Sequence, residues 1–144
     1  MIKVRAAQLE DIPEVIANAK DYYSSEKDLK LRLEAVIGRS FIAKDRLGRI
    51  GLMFGYHQVW GGVLEVWAVT TKSFDYHKVS YVRFMRHKLK ETMDLPNIHR
   101  LQIYVKARYP HLQRWAESLG FEYEGRHPKM GSDLEDYYSY GRVK

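Results

Sequence analysis

The segment WAESLGF, at residues 115–121, decides the fold that this sequence predicts. Five positions earlier, Pro110 stands where the first turn of a helix tolerates a residue without an N–H group. Gly120 suits the end of a helix, because glycine adopts the left-handed conformation that a helix terminus uses. Phe121 then opens a strand. The segment therefore predicts a short helix that leads directly into a strand, and its apolar face consists of Leu112, Trp115, Ala116 and Leu119.

Outward from this segment, alternating and helical patterns predict the remaining elements. The predicted strands are residues 2–6, 40–44, 50–59, 63–70, 101–105, 121–125 and 137–143, with turns at 45–48 and 61–62. One helix follows a capping box of Asp11 and Glu14. A second begins at about Glu26 and ends at Gly38. The longest begins at about Asp75, and its apolar stripe is Val79, Val82, Met85, Leu89 and Met93.

The order of these elements is β-α-α-β-β-β-α-β-α-β-β. It predicts an α+β fold with a mixed, mostly antiparallel sheet of about seven strands, flanked by about four helices. The length of 144 residues fits one domain, so we expect a single domain over residues 1–144.

Composition excludes several classes of protein. The sequence has no cysteine, which removes disulfides, thiolate metal sites and cysteine nucleophiles. The six histidines show no spacing that builds a metal site, so no metal is expected. No apolar run approaches the ~20 residues that span a bilayer, and no apolar signal core opens the chain, so a cytoplasmic protein is expected. The net charge of +6 favours an anionic partner, such as nucleic acid, a membrane surface or a phosphorylated cofactor.

WAESLGF resembles the helix-to-strand segment of the Gcn5-related N-acetyltransferase (GNAT) superfamily, and the element order is that of the GNAT fold. Residues 4–7 and 9–11 are similar to the first strand and turn of that family. The resemblance implies transfer of an acetyl group from acetyl-coenzyme A to an amine. It also implies that the cofactor lies where the fourth and fifth strands diverge, with peptide groups around Val69 and Thr70 holding its pantetheine arm.

The cofactor loop departs from the family. The family has an Arg/Gln-x-x-Gly-x-Gly/Ala loop whose amides hold the pyrophosphate, whereas residues 71–79 are TKSFDYHKV, and no glycine occurs from residue 63 to 119. Glycine allows the backbone to approach a phosphate closely. The pyrophosphate is expected at the N-terminus of the following helix, helped by the side chains of Lys72, His77 and Lys78. With Val69, Thr70 and Thr71, these residues make up the expected cofactor site. Asp75 is expected to repel the phosphate.

The resemblance also names candidates for acid–base chemistry. Glu65 lies on the fourth strand, where the family presents a glutamate base, and by alternation it shares a face with Trp67 and Val69. The alternative is a glutamate near the end of a strand that reaches solvent or pairs with a lysine. A base at neutral pH needs burial to raise its pKa above the ~4.3 of free glutamate. Ala116 stands where the family has the tyrosine that protonates the departing thiolate. Tyr109 and Tyr138 are the candidates to protonate the thiolate in its place.

Other functions stay open. Residues 67–70 and the glycine-free basic helix after them resemble acetyltransferase-like proteins of short-tailed phages. The alternative function is therefore an inactive protein of the same fold that serves as a phage, virion or binding component, and its expected partners are virion proteins or further copies of this chain. A basic helix face with interleaved aromatic residues is compatible with single-stranded nucleic acid. It comprises Lys78, Arg83, Arg86, His87, Lys88 and Lys90 with Tyr76, Tyr81 and Phe84. The simpler explanation is that the basic residues are solvated and that the aromatic residues pack the helix against the sheet. The acidic loop of Asp133, Glu135 and Asp136 either attracts a cationic amine or satisfies turn amides.

Overall fold

The computed structural model describes residues 1–20 and 25–144, and these residues form seven strands and four α-helices. The strands are β1 Lys3–Ala6, β2 Ser40–Lys44, β3 Ile50–Trp60, β4 Val63–Thr70, β5 Arg100–Lys106, β6 Glu122–His127 and β7 Tyr137–Val143. The helices are α1 Ile12–Asn18, α2 Glu26–Ala35, α3 Lys78–Asp94 and α4 Pro110–Ser118. A 3-10 helix, Lys72–His77, joins β4 to α3.

All seven strands belong to one sheet, in the order β1-β2-β3-β4-β5-β7-β6. The pairs β1–β2, β2–β3, β5–β7 and β6–β7 are antiparallel. The pair β4–β5 is parallel, and its register runs from Val63 opposite Arg100 to Glu65 opposite Gln102. The prediction of an α+β fold with a mixed, mostly antiparallel sheet is therefore confirmed.

The chain divides into two compact units, each made of two stretches of sequence. The first unit comprises Met1–His57 and Trp67–Phe84, and the second comprises Gln58–Val66 and Met85–Lys144. Each unit is described by itself below. The expectation of a single domain over residues 1–144 stays a prediction.

In the first unit, α1 and α2 bury their apolar faces in a core that also includes side chains from β2, β3 and β4. Val15 is completely buried, and Leu33 is 2% exposed. Ile42 and Met53 are opposite each other on β2 and β3, and both join this core. Burial of each such side chain contributes about 1.5–3 kcal/mol. The core comprises Ala7, Ile12, Val15, Leu29, Leu33, Ile42, Ile50, Met53 and Val69, with Trp67 packed against it.

The same unit has a second set of packed side chains, which are aromatic. Phe41 stacks on Phe54 with ring centroids 5.6 Å apart, and Phe54 meets the edge of Phe84 at 5.5 Å. Tyr81 is completely buried and stacks on Phe74 at 5.0 Å. Phe74 belongs to the 3-10 helix between β4 and α3, so this packing fixes the position of that helix.

The second unit contains the segment WAESLGF. Ala116 and Leu119 are buried on α4, and Phe121 is buried just ahead of β6. Gly120 has φ +91°, and the Phe121 N–H donates to the Ala116 carbonyl at 3.2 Å. A helix that ends in a left-handed glycine closes in this way. The prediction that Gly120 ends the helix is confirmed.

The start and the buried face of α3 differ from the prediction. The helix begins at Lys78 rather than at about Asp75, because the preceding residues form the 3-10 helix. Val79 is 71% exposed, whereas Tyr81 is completely buried. Later in the helix the predicted Met85 and Met93 are buried as expected.

Two predicted helix signals were also wrong. The Asp11 side chain does not cap α1; it accepts hydrogen bonds from Arg5 and from the Gln8 N–H, all at 2.8 Å. Glu14 instead accepts the Ile50 N–H at 2.8 Å, which ties α1 to β3. Gly38 is not the residue that ends α2, because that helix ends at Ala35 and Gly38 lies inside a separate 3-10 helix.

Candidate functional site

The connection between β4 and α3 begins at a buried threonine. The Thr71 hydroxyl donates to the Ile50 carbonyl at 2.7 Å and accepts the Ser73 N–H at 3.2 Å. It thereby caps the 3-10 helix, while it fastens the helix start to β3. A capped 3-10 helix stands here instead of a glycine-rich loop.

Main-chain groups at the end of β4 form hydrogen bonds with other residues of the first unit. The Lys20 N–H donates to the Thr70 carbonyl at 3.3 Å, and the Thr71 N–H donates to the Gly51 carbonyl at 3.1 Å. The Val69 side chain is 4% exposed and lies in the core. Val69, Thr70 and Thr71 are therefore buried and hold the start of the connection in place. The first exposed side chain after them is that of Lys72.

The three basic residues expected to replace the amides, Lys72, His77 and Lys78, are all exposed. Lys72 and His77 are the first and last residues of the 3-10 helix, and Lys78 is the first residue of α3. The structure thus places three cationic or titratable side chains along one short connection.

Asp75, which was expected to repel an anion, is paired with two lysines. Its carboxylate lies 2.6 Å from Lys20 Nζ and 3.7 Å from Lys78 Nζ. Burial raises the pKa of Asp75, but the hydrogen bond and charge of Lys20, followed by the charge of Lys78, lower the pKa more. The result is an ionised carboxylate whose negative charge is offset locally. Sequence reasoning missed Lys20, because 55 residues separate it from Asp75.

A second charged group adjoins the same 3-10 helix. Asp45, in the turn between β2 and β3, accepts the Arg49 Nε–H at 2.8 Å. The Arg49 guanidinium lies over the Tyr76 ring, 4.5 Å from its centroid. His77 Nε2 lies 3.9 Å from the Asp45 carboxylate. No local sequence pattern predicts this cluster, because the turn and the 3-10 helix are more than twenty residues apart.

Glu65, the candidate base, lies in the second unit. It is half-buried and stands opposite Gln102 in the parallel pair of β4 and β5. Two residues further along β4, Trp67 packs against the core of the first unit, and its indole nitrogen is buried without a hydrogen-bond acceptor in the described part of the chain.

Position 116 has no room for the tyrosine of the family. Ala116 is completely buried, so a tyrosine there would overpack α4. Tyr109 precedes α4 as its N-cap residue. Tyr138 meets the edge of the Tyr123 ring at 5.4 Å.

The aromatic residues of the basic helix face serve mainly in packing. Tyr81 is completely buried and Phe84 contacts Phe54, whereas Tyr76 is 68% exposed. Three lysines of this face are also paired with acidic neighbours, Lys78 with Asp75, Lys88 with Glu91 and Lys90 with Asp94, and His87 Nε2 lies 3.4 Å from Glu91.

The acidic loop before β7 is paired with basic side chains of its own unit. Each of three ion pairs has an N–O distance of 2.7 Å: Lys106–Asp133, Arg108–Glu135 and Arg126–Asp136. Asp133 and Asp136 also accept turn amides, from Glu135 and Lys129. The loop carboxylates therefore stabilise the loop.

Among residues 1–20 and 25–144, no group of histidines and carboxylates is arranged to hold a metal ion. Over the same residues, no helix is both long enough and apolar enough to span a membrane.

No protein-family model matches this sequence, and no curated protein matches it either. Solved structures do match. An acetyltransferase of the GNAT family from Bacillus anthracis is 17% identical and has a TM-score of 0.75, with 99% of this chain and 94% of that chain covered. A chimera of the spermidine N-acetyltransferase SpeG from Vibrio cholerae and hSSAT is 14% identical, with a TM-score of 0.73 and coverage of 99% and 95%. This chain therefore has the fold of GNAT acetyltransferases.

Proposed function

We propose that this chain is a GNAT-type N-acetyltransferase that transfers an acetyl group from acetyl-coenzyme A to an amine. The observation that carries the proposal is the match in fold to GNAT acetyltransferases over 99% of the chain. The net charge of +6 agrees with a phosphorylated co-substrate.

For the cofactor, we propose that Lys72, His77 and Lys78 bind the pyrophosphate. Their side chains are exposed on the connection after β4, where glycine amides would bind it in the family. Thr71 and the buried Val69 and Thr70 hold that connection in place. Lysines lose rotamer freedom when they bind, so the affinity is expected to be weak, with a Kd of roughly tens of micromolar or poorer.

For the chemistry, we propose Glu65 as the general base. The amine nitrogen attacks the thioester carbonyl, the C–N bond forms and the C–S bond breaks. Before the attack, Glu65 takes one proton from the substrate ammonium, which leaves a neutral amine nitrogen. After the attack, the nitrogen loses its second proton to water, and water passes a proton to the departing thiolate of coenzyme A, because Ala116 supplies none.

Replacement of Glu65 by glutamine tests this assignment. Glu65→Gln keeps the size of the side chain and removes the proton acceptor, so kcat/KM should fall by about 10²- to 10⁴-fold. The assay is release of coenzyme A with a panel of polyamines, amino acids and basic peptides. Glu122→Gln, at an exposed glutamate of β6, is the matched control. Turnover that is unaffected by Glu65→Gln would remove Glu65 from the mechanism.

A second candidate is an inactive protein of the same fold that serves as a binding component of a phage or virion. The observations that favour it are the lack of glycine between residues 63 and 119 and the buried Ala116. Absence of turnover with every amine, together with absence of cofactor binding, would favour this candidate over the enzyme.

A further inference from the structure

Arg49 is held in one orientation by a buried carboxylate. The Asp45 side chain is 2% exposed, and one of its oxygens accepts the Arg49 Nε–H at 2.8 Å. The other oxygen accepts the N–H groups of Leu47 and Arg49, at 2.9 and 3.1 Å. The main chain of the turn therefore orients the Asp45 carboxylate, and the carboxylate orients the Arg49 guanidinium.

The guanidinium also lies over an aromatic ring. Arg49 lies over Tyr76 at 4.5 Å, while the Tyr76 side chain stays largely exposed. Such cation–π contacts stabilise the planar guanidinium in one position. Tyr76 belongs to the 3-10 helix Lys72–His77, so Arg49 is next to the connection that carries the proposed phosphate ligands.

The rest of the guanidinium has N–H groups that no acceptor in the described part of the chain uses. An arginine side chain has five N–H donors, and Asp45 uses only the one on Nε. Nη1 and Nη2 of Arg49 donate to no acceptor among residues 1–20 and 25–144. The side chain is 36% exposed. Two parallel N–H groups in a fixed plane match the oxygens of a phosphate.

We propose that Arg49, oriented by Asp45 and Tyr76, binds a phosphate group of the nucleotide co-substrate. This inference rests on the proposed function and adds to it a binding residue from the turn between β2 and β3. Both the pyrophosphate and the 3′-phosphate of coenzyme A have the required chemistry. Because the guanidinium is already ordered, Arg49 binds a phosphate with less loss of conformational freedom than an exposed lysine does.

If the Asp45–Arg49 ion pair only stabilised the turn, substitution of Arg49 would give a different result. Removal of Arg49 would then lower the melting temperature and leave the affinity for phosphate unchanged. Arg46 supplies the matched control, because it lies in the same turn, carries the same charge, is exposed and has no ion-pair partner in the described part of the chain. Arg49→Gln and Arg46→Gln remove the same charge from nearly the same place.

The experiment measures binding by calorimetry to the full chain, with inorganic pyrophosphate, coenzyme A and dephospho-coenzyme A as probes. Arg49→Gln should weaken binding at least about tenfold, whereas Arg46→Gln should change it less than about twofold. A loss with coenzyme A but not with dephospho-coenzyme A assigns Arg49 to the 3′-phosphate. A loss with both assigns it to the pyrophosphate. If Arg49→Gln does not fold, the test uses Arg49→Lys and Tyr76→Leu instead, after thermal melting has shown that they fold. Each of these two variants should also weaken binding.

Three other outcomes separate the two proposals. Equal affinities of Arg49→Gln and Arg46→Gln for coenzyme A would overturn the role of Arg49 and leave the acetyltransferase proposal standing. Arg49-dependent binding of pyrophosphate without binding of coenzyme A would support the anion site and count against the acetyltransferase. Absence of binding of all three probes to the unmodified chain would overturn the anion site.

Discussion

Substitution of Gly51 tests whether the core of the first unit holds the candidate site in place. A Cβ atom at this position would lie 2.3 Å from the Tyr81 hydroxyl oxygen, 2.4 Å from Cζ and 2.7 Å from Cε2. Nonbonded carbon atoms normally stay about 3.5–4.0 Å apart, so the Tyr81 ring would have to move by roughly 1 Å. Tyr81 is completely buried and stacked on Phe74, so the ring has no free space.

Gly51→Ala should therefore destabilise the protein by about 1–3 kcal/mol, the usual range for an overpacked core. For a chain of this length, that corresponds to a decrease in Tm of roughly 3–12 °C. The displaced ring would also push Phe74 and with it the 3-10 helix Lys72–His77, so the affinity for acetyl-coenzyme A should fall as well. Thermal melting and calorimetry measure the two effects.

Double variants identify the ring as the cause. Tyr81→Phe should not rescue Gly51→Ala, because two carbon atoms of the ring also block the Cβ. Tyr81→Leu should recover part of the loss, because it removes those atoms. Gly38→Ala is the control, since its Cβ would have no neighbour within 4 Å. If Gly51→Ala melts at the same temperature as Gly38→Ala, the described packing of Tyr81 is incorrect.

Two further predictions concern charged residues. Lys20→Met should weaken binding of acetyl-coenzyme A about two- to fivefold, because Asp75 then has only Lys78 to offset its negative charge. The additional substitution Asp75→Asn should restore the affinity. Calorimetry on both variants measures this, and a double variant that binds as weakly as Lys20→Met would contradict the role of the Lys20–Asp75 pair. The hydrogen bond from Arg5 holds the pKa of Asp11 below its usual value despite burial. A carboxyl with a depressed folded-state pKa stabilises above the unfolded pKa of about 3.9 and loses this contribution as the pH falls through the folded pKa. Melting temperatures between about pH 5 and 2 should therefore fall less steeply for Asp11→Asn than for the unmodified chain, and equal slopes would contradict the assignment.

Much of the fold could be predicted from the sequence, because it depends on local patterns. Strands β2, β4 and β7 have the bounds that their alternating residues indicate. Gly120 ends α4 as expected, because it can adopt positive φ. The α3 start was misplaced, since the 3-10 helix before it has no distinct sequence pattern. Packing was the simpler of the two explanations for Tyr81, and its buried ring, which fills the space that Gly51 leaves, agrees with it.

The candidate site could be predicted only in part. Lys72, His77 and Lys78 could be named as candidates because they follow β4 directly in the sequence, and their role as ligands stays a prediction. The pairing of Lys20 with Asp75 could not be predicted, because it depends on how α1 ends beside β4. The contact of Arg49 with Tyr76 depends in the same way on the fold, and the sequence did not suggest Arg49 as a ligand.

The most direct test of the proposed function is a calorimetric titration of the unmodified chain with acetyl-coenzyme A. The account predicts saturable binding with a Kd of roughly tens of micromolar or poorer. It also predicts a clear loss in the double variant Lys72→Ala, Lys78→Ala, and little change in the control Lys27→Ala, Lys30→Ala, whose exposed lysines lie on α2. Sub-micromolar affinity that is unchanged in the Lys72, Lys78 variant would contradict the proposed site, and absence of binding would contradict the acetyltransferase itself.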